Sequence, residues 1–306
     1  MTMDQRLSNM CAPKSRVDVV LDTDAFNEID DQYAIGYMIK KTSRFSVKGI
    51  CAAPFTNEKS VSAEDGMEKS YDEILKLLSL MGKEDMASLV RKGSRRYLPD
   101  EQTPVESDAA DFMAELANSY SPENPLYIIA IGAITNVASA ILKNPAMKEN
   151  CVVVWLGGHA THMPMPVGEF NMFQDIAGAR ILFGCGVPLV MLPCNGVVDA
   201  FATTGPELEY WLRGKNALCD YLVDNTVNEA NSYAAGKPWS RPIWDVCAVA
   251  WLCNERWDYM REKFIPSPIP EYDCHYALDD NRHLIKYVYK INRDRLFEEL
   301  FKVLSE

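Results

Sequence analysis

The stretch "VDVVLDTDAFNEIDDQYAIGYM", Val17 to Met38, begins as a hydrophobic strand, passes through an acidic turn and ends in a helical pattern. Within ten residues it places Asp22, Asp24, Glu28, Asp30 and Asp31, with no Lys or Arg among them. A strand running directly into a helix is the opening unit of an α/β fold built on parallel strands. Asp22 and Asp24 straddle one residue at the strand end, so both side chains can point the same way. Asp30 and Asp31 open the helix, where free amides and the helix dipole favour negative charge. Capping carboxylates on a solvated turn are the plain reading. So many like charges in one loop repel, however, and an oxygen-only cluster suits a hard divalent cation such as Ca²⁺ or Mg²⁺.

Working outward, the same alternation recurs. Strand candidates are "SVKGICAAP" at Ser46, "LYIIAIG" at Leu126, "CVVVWLGG" at Cys151 and "VPLVMLP" at Val187. Between them lie helical stretches such as "SYDEILKLLSLM", whose Ile74, Leu75, Leu77, Leu78 and Leu80 form an apolar face at helical spacing. Near-continuous apolar strands predict an open, mainly parallel, Rossmann-like sheet with helices on both faces. From about Gly205 the chain reads as more helical, closing with a small hairpin and a last helix. No Gly-, Pro- or Ser-rich linker and no repeat appears, so one domain over residues 1–306 is expected, with 1–16 as a flexible tail. Ligands of such sheets sit at the carboxyl ends of the strands. The acidic turn, "GAITN" after Leu126–Ile131 and "GGHATHM" after Cys151–Leu156 would converge there.

Composition narrows the function. The net charge of −12 comes without a basic cluster, which argues against nucleic acid and anionic membranes as partners. The cysteines are scattered, mostly in apolar surroundings and with no C-x-x-C pair, as in a reducing compartment. No signal-peptide pattern or membrane-length apolar run is present, and a cytoplasmic location is expected. An EF-hand counted from Asp22 would need Gly and Glu where Asn27 and Tyr33 stand. A D-x-D phosphatase using Mg²⁺ remains an alternative, although Phe26 takes the place of its usual small residue.

These motifs together resemble the inosine–uridine-type nucleoside hydrolases. That family's first strand ends in D-x-D followed by a D-D pair, here Asp22, Asp24, Asp30 and Asp31, in a slightly longer loop. "GAITNVASAI" from Gly132, "GEFNMFQD" from Gly168, "WDVCAVA" from Trp244 and "APFTNEKS" from Ala53 are similar to its further segments, in the family's order. The resemblance implies hydrolysis of the N-glycosidic bond of ribonucleosides with one bound Ca²⁺. It implies Asp24, Asp31, Asp245 and the Ile131 carbonyl as metal ligands, with Asp24 also the general base for the attacking water. It implies Asp30, Asn57, Glu169 and Asn171 on the ribose hydroxyls, and a homo-oligomer, dimer or tetramer.

Two positions depart from the family. Trp244 stands where members carry a His that protonates the leaving base, and would stack on a base instead, with purines weakly favoured for their area. Met163 stands where an Asn serves the 5′-hydroxyl, with His159 and His162 in the same loop as stand-ins, His162 as a substrate contact. Asn136 reads as a helix cap, Arg95 and Arg96 as a solvated turn, Asp22 as a supporting group and Glu28 as unassigned. A nucleoside- or ribose-binding protein on the same scaffold, with little catalysis, is the other reading.

Overall fold

The acidic stretch lies at the centre of the molecule. In the computed structural model, which describes residues 1–163 and 168–306, its strand β1 (Val17–Thr23) is an inner strand of an eight-stranded sheet. The others are β2 (Phe45–Ala52), β3 (Val90–Lys92), β4 (Leu126–Ala130), β5 (Cys151–Leu156), β6 (Leu189–Leu192), β7 (Met260–Pro266) and β8 (Leu284–Ile291). Their order is β3-β2-β1-β4-β5-β6-β8-β7. All neighbours run parallel except β7, which pairs antiparallel with β8. The chain thus winds one way from β1 to β3, then returns to β1's other side with β4. That reversal leaves a crevice beyond the ends of β1 and β4, the place where such sheets bind ligands.

Alternate residues of each inner strand feed two separate cores. Val19 and Leu21 of β1, with Ile129 of β4 and Val154 of β5, pack under the helices Asp30–Lys40, Ala63–Leu80, Ala217–Ala234 and Arg293–Ser305. Val20, Ile128, Val153 and Trp155 face the helices Asp108–Leu116, Thr135–Lys143 and Ile176–Gly184. Both faces being covered explains why these strands read as continuous apolar runs rather than as an alternation. Ile74, Leu77 and Leu78 are buried as their spacing predicts, while Leu75 and Leu80 are half-buried at the margin of the same core. The cysteines are all free, and Cys51, Cys151, Cys219 and Cys247 are buried.

Three expectations change. Residues 1–16 are not simply a tail: Met3–Asn9 is a helix, capped by the Thr2 hydroxyl accepting from the Gln5 N–H. It is docked by Arg6 on the Val187 carbonyl and Asn9 on the Pro122 carbonyl, so its polar groups have partners that a free segment would lack. The terminal hairpin is not a local one either. Its Leu284–Ile291 strand enters the main sheet between β6 and β7. Asn136 caps nothing: its helix starts after Ile134 without a side-chain cap. It is fully buried, donates to Asp22 Oδ1 at 2.8 Å and the Ala52 carbonyl at 3.2 Å, and accepts from the Ser94 N–H at 2.7 Å. The helix start therefore ties β1, β2 and the segment after β3 together. Among the described residues no helix is long and apolar enough to cross a membrane.

Candidate active site

The crevice at the ends of β1 and β4 holds a cavity of about 220 Å³. Six carboxylates line it: Asp24, Glu28, Asp30, Asp31, Glu169 and Asp245, and no Lys or Arg does so among the described residues. Five of the six are nearly inaccessible to water, from 1% exposed for Asp24 to 4% for Glu169. Such burial is costly for an ionised group unless it is paired or bound to a cation.

The backbone explains how they meet. β1 ends by passing its Asp22 carbonyl to the Ile131 N–H at 2.8 Å, which sets the end of β4 beside Asp24. Asp24 closes a turn with Asn27, whose N–H donates to the Asp24 carbonyl at 2.7 Å, and the chain then enters the Asp30–Lys40 helix. Asp30 and Asp31 occupy that helix's first turn, which has no side-chain cap of its own. Asp245 precedes the Val246–Trp251 helix, and its N–H donates to Asp30 Oδ2 at 3.3 Å. Asp30, Asp31 and Asp245 each offer an oxygen within 4.8 Å of the others. Gly132 abuts Asp24 so closely that an added Cβ would come within 2.9 Å of its Oδ1, so only glycine leaves this carboxylate its place.

Neither oxygen of Asp24 has a hydrogen-bond partner among the described residues, and Asp22 Oδ2 is equally bare. Burial, then the charges of Asp31, Asp30 and Glu28, raise Asp24 well above the ordinary carboxylate range. Burial raises Asp31 to about 7 against the hydroxyl of Thr23, which donates to it. Burial followed by Asp30 and Asp31 raises Asp245, and burial followed by Glu28 raises Asp30. A group of mutually repelling, buried, partly bare carboxylates is a donor set that fits a hard divalent cation. Such an ion removes both the desolvation cost and the repulsion.

The remaining expected residues divide. Glu169 and Asn171 line the cavity, but each already carries structural bonds. The Glu169 carboxylate accepts from the N–H groups of Gly158, Asn171 and Met172 at 2.7–2.9 Å, which oppose the burial that raises it to about 7. The Asn171 amide donates to the Leu156 carbonyl at 3.0 Å and the Ile131 carbonyl at 3.3 Å. Trp244 lines the cavity as well. Asn57 stands one step back: its amide donates to Asn27 Oδ1 at 2.6 Å, and it is Asn27 that lines the cavity. His162 is exposed and is not among the described lining residues, whereas His159 is buried there. The Asn195 N–H donates to His159 Nδ1 at 3.3 Å, and burial lowers the affinity of this ring for a second proton.

Sequence reading missed Asn27, Cys194 and Asn195. The last two follow β6, so the rule that pointed to the carboxyl ends of β1, β4 and β5 reaches them once β6 is placed in the sheet. Arg241 was also missed: it is buried outside the cavity and pairs with Glu28 and Glu229 at 2.8 and 3.2 Å.

Residues 19–297 match the family of inosine-uridine preferring nucleoside hydrolases. A probable uridine nucleosidase from Arabidopsis thaliana is 28% identical over 133 residues, 42% of this chain and 40% of that protein. A pyrimidine-specific ribonucleoside hydrolase from Citrobacter koseri is 25% identical over 241 residues, covering 67% of this chain and 76% of that one. The fold is also that of a purine-preferring ribonucleoside hydrolase from Gardnerella vaginalis, with a TM-score of 0.71 at 19% identity over 94% of this chain and 98% of that one. A match of this extent displaces the D-x-D phosphatase reading of the acidic strand end. The chain belongs to the inosine-uridine preferring nucleoside hydrolase family and is a hydrolase acting on N-ribosyl bonds.

Proposed function

We propose that this chain is a Ca²⁺-dependent hydrolase of ribonucleosides in which Asp24 is the general base. The observation that carries the reading is the Asp24 carboxylate, buried, without a partner on either oxygen among the described residues, and lining one cavity with the cluster of Asp30, Asp31 and Asp245 at the switch point of the sheet. Asp24, Asp31, Asp245 and the Ile131 carbonyl would hold Ca²⁺, with Asp30 near enough to assist. When bound, the ion supplies Lewis-acid charge that acidifies water and gathers sugar hydroxyls. Asp24 takes a proton from the attacking water as the water attacks the sugar. As the bond to the base breaks, the ribose gains oxocarbenium character, and the unpaired negative charge of the cavity stabilises it. Asp30, Glu169 and Asn171 fix the ribose, and Asn57 acts through Asn27 rather than on the sugar itself.

The relatives differ in base preference, so the choice of base rests on this chain's own residues. Trp244 offers a flat apolar face, and a purine covers more of it than a pyrimidine does. A modest purine preference follows. The test is release of ribose, measured as reducing sugar, from inosine, adenosine, guanosine, uridine and cytidine with Ca²⁺ present. Turnover of at least one, fastest with a purine, supports the reading. Binding of Ca²⁺ and ribose without turnover of any would reduce the protein to a nucleoside binder.

A further inference from the structure

Glu28 lines the cavity of the proposed base site and Arg241 lies outside it, and the chemistry above leaves both unused. Glu28 lines the cavity with Trp244, and its side chain is 39% exposed at the mouth. Arg241 is buried behind it. Its Cζ lies 4.8 Å from the centroid of the Trp244 ring, and its Nη2 donates to Glu28 Oε2 at 2.8 Å. The same nitrogen lies 3.2 Å from Glu229 Oε1. One guanidinium therefore sets the position of both an aromatic ring and a carboxylate on one cavity wall. Arginine suits this use because its flat fork stacks on a ring while bonding carboxylates in its plane. Arg241 bonds Oε2 of Glu28, and among the described residues Oε1 has no partner, which leaves it for a ligand.

We propose that Glu28, held by Arg241 beside Trp244, reads the hydrogen-bonding edge of the nucleobase and selects bases that offer N–H donors there. The assignment rests on the N-ribohydrolase reading and deepens it. An ionised carboxylate only accepts hydrogen bonds, so it rewards an N–H edge and repels a ring lone pair. Guanine presents a ring N–H and an amine side by side, hypoxanthine one ring N–H, and unsubstituted purine a bare lone pair. These three bases share one bicyclic frame for stacking on Trp244, so the change in their relative turnover between variant and wild type reports on Glu28. No Lys or Arg lines the cavity among the described residues, so an anionic group on the base would have no counter-charge there.

The experiment compares kcat/KM for guanosine, inosine and purine riboside in the wild type, Glu28→Leu, Glu28→Gln, Arg241→Met and Arg241→Lys. Intrinsic differences between the substrates cancel when each variant is divided by wild type. Glu28→Leu is expected to lower guanosine turnover about 10- to 100-fold, the range for a hydrogen bond to a charged group, with inosine affected less and purine riboside least. The loss should fall mainly on KM, because the contact exists before and during bond breaking. Glu28→Gln, which keeps an acceptor, should restore part of the gradation. Arg241→Met should reproduce the gradation with Glu28 intact, and Arg241→Lys should recover part of it. An equal factor for all three substrates in Glu28→Leu, whose half-exposed site tolerates the change, would overturn the assignment even if the arginine variants fail to fold. A wild type that releases ribose from no nucleoside would overturn both the assignment and the reading beneath it.

Discussion

Two buried acidic sites in this sheet are handled in opposite ways. At one end, Glu262 of β7 is paired with Lys286 of β8 at 3.2 Å, and the Trp251 indole N–H donates to its other oxygen at 2.6 Å. Both side chains of that pair are at most 7% exposed. At the carboxyl ends of β1 and β4, Asp24 is buried just as deeply and has no hydrogen-bond partner among the described residues. The chain is thus able to neutralise a buried carboxylate with its own residues, and does so at β7 and β8. The bare group at the switch point is the mark of a site whose counter-charge arrives from outside. A buried charge left unpaired costs stability, and sites that retain one do so for function.

The comparison can be broken at either end. Asp24→Asn should have the largest effect on turnover, lowering kcat for nucleoside hydrolysis by about 10²- to 10⁴-fold, as expected for loss of a general base. The amide carries no charge to repel its neighbours, so the Tm of the cation-free protein should hold or rise. A fall in that Tm would make Asp24 a structural charge and remove the contrast. Lys286→Met should do the reverse. It strands Glu262 in the sheet and costs about 3–5 kcal/mol in denaturant unfolding, while kcat/KM of the folded protein stays unchanged.

Asn136→Ala should have the smallest effect. It leaves Asp22 Oδ1 and the Ser94 N–H without their partner, costing about 1–3 kcal/mol in unfolding. Ribose release should fall less than in Asp24→Asn, since Asn136 supports the strand end without lining the cavity. A loss as deep as that of Asp24→Asn would place Asp22 and its brace inside the chemistry.

The same contrast shows what sequence alone could reveal. Strands β4, β5 and β6 were legible because each is buried throughout and reads as an unbroken apolar run, and β1 and β2 because of the shorter buried apolar stretches Val19–Leu21 and Ile50–Ala52. The strand β3 escaped notice because it is three residues long with only Val90 buried. The position of β8 was hidden because its parallel partner β6 comes from a distant part of the chain, and because its buried Lys286 reads as a surface charge until Glu262 is placed against it. The helix at Met3–Asn9 did carry a local signal, Thr2 followed three residues later by Gln5, which is the spacing of a capping pair.

At the site, the acidic residues announced themselves because unpaired like charges next to a strand end are hard to explain otherwise. Asn27, Cys194 and Asn195 did not, because single neutral polar residues after a strand look like any loop. The exchange of places between Asn57 and Asn27 is of the same kind. Both are loop asparagines, and only the 2.6 Å bond between them shows which stands in front.

The calcium site is tested most directly by titrating Ca²⁺ into metal-stripped protein, following Tm and ribose release together. One Ca²⁺ site per chain and no turnover in chelator are expected. Added ion should restore ribose release and raise stability by about 2.7 kcal/mol when free Ca²⁺ reaches a hundred times its Kd, with both responses lost in Asp245→Asn. Full ribose release in chelator, or Ca²⁺ binding undiminished in Asp245→Asn, would contradict it.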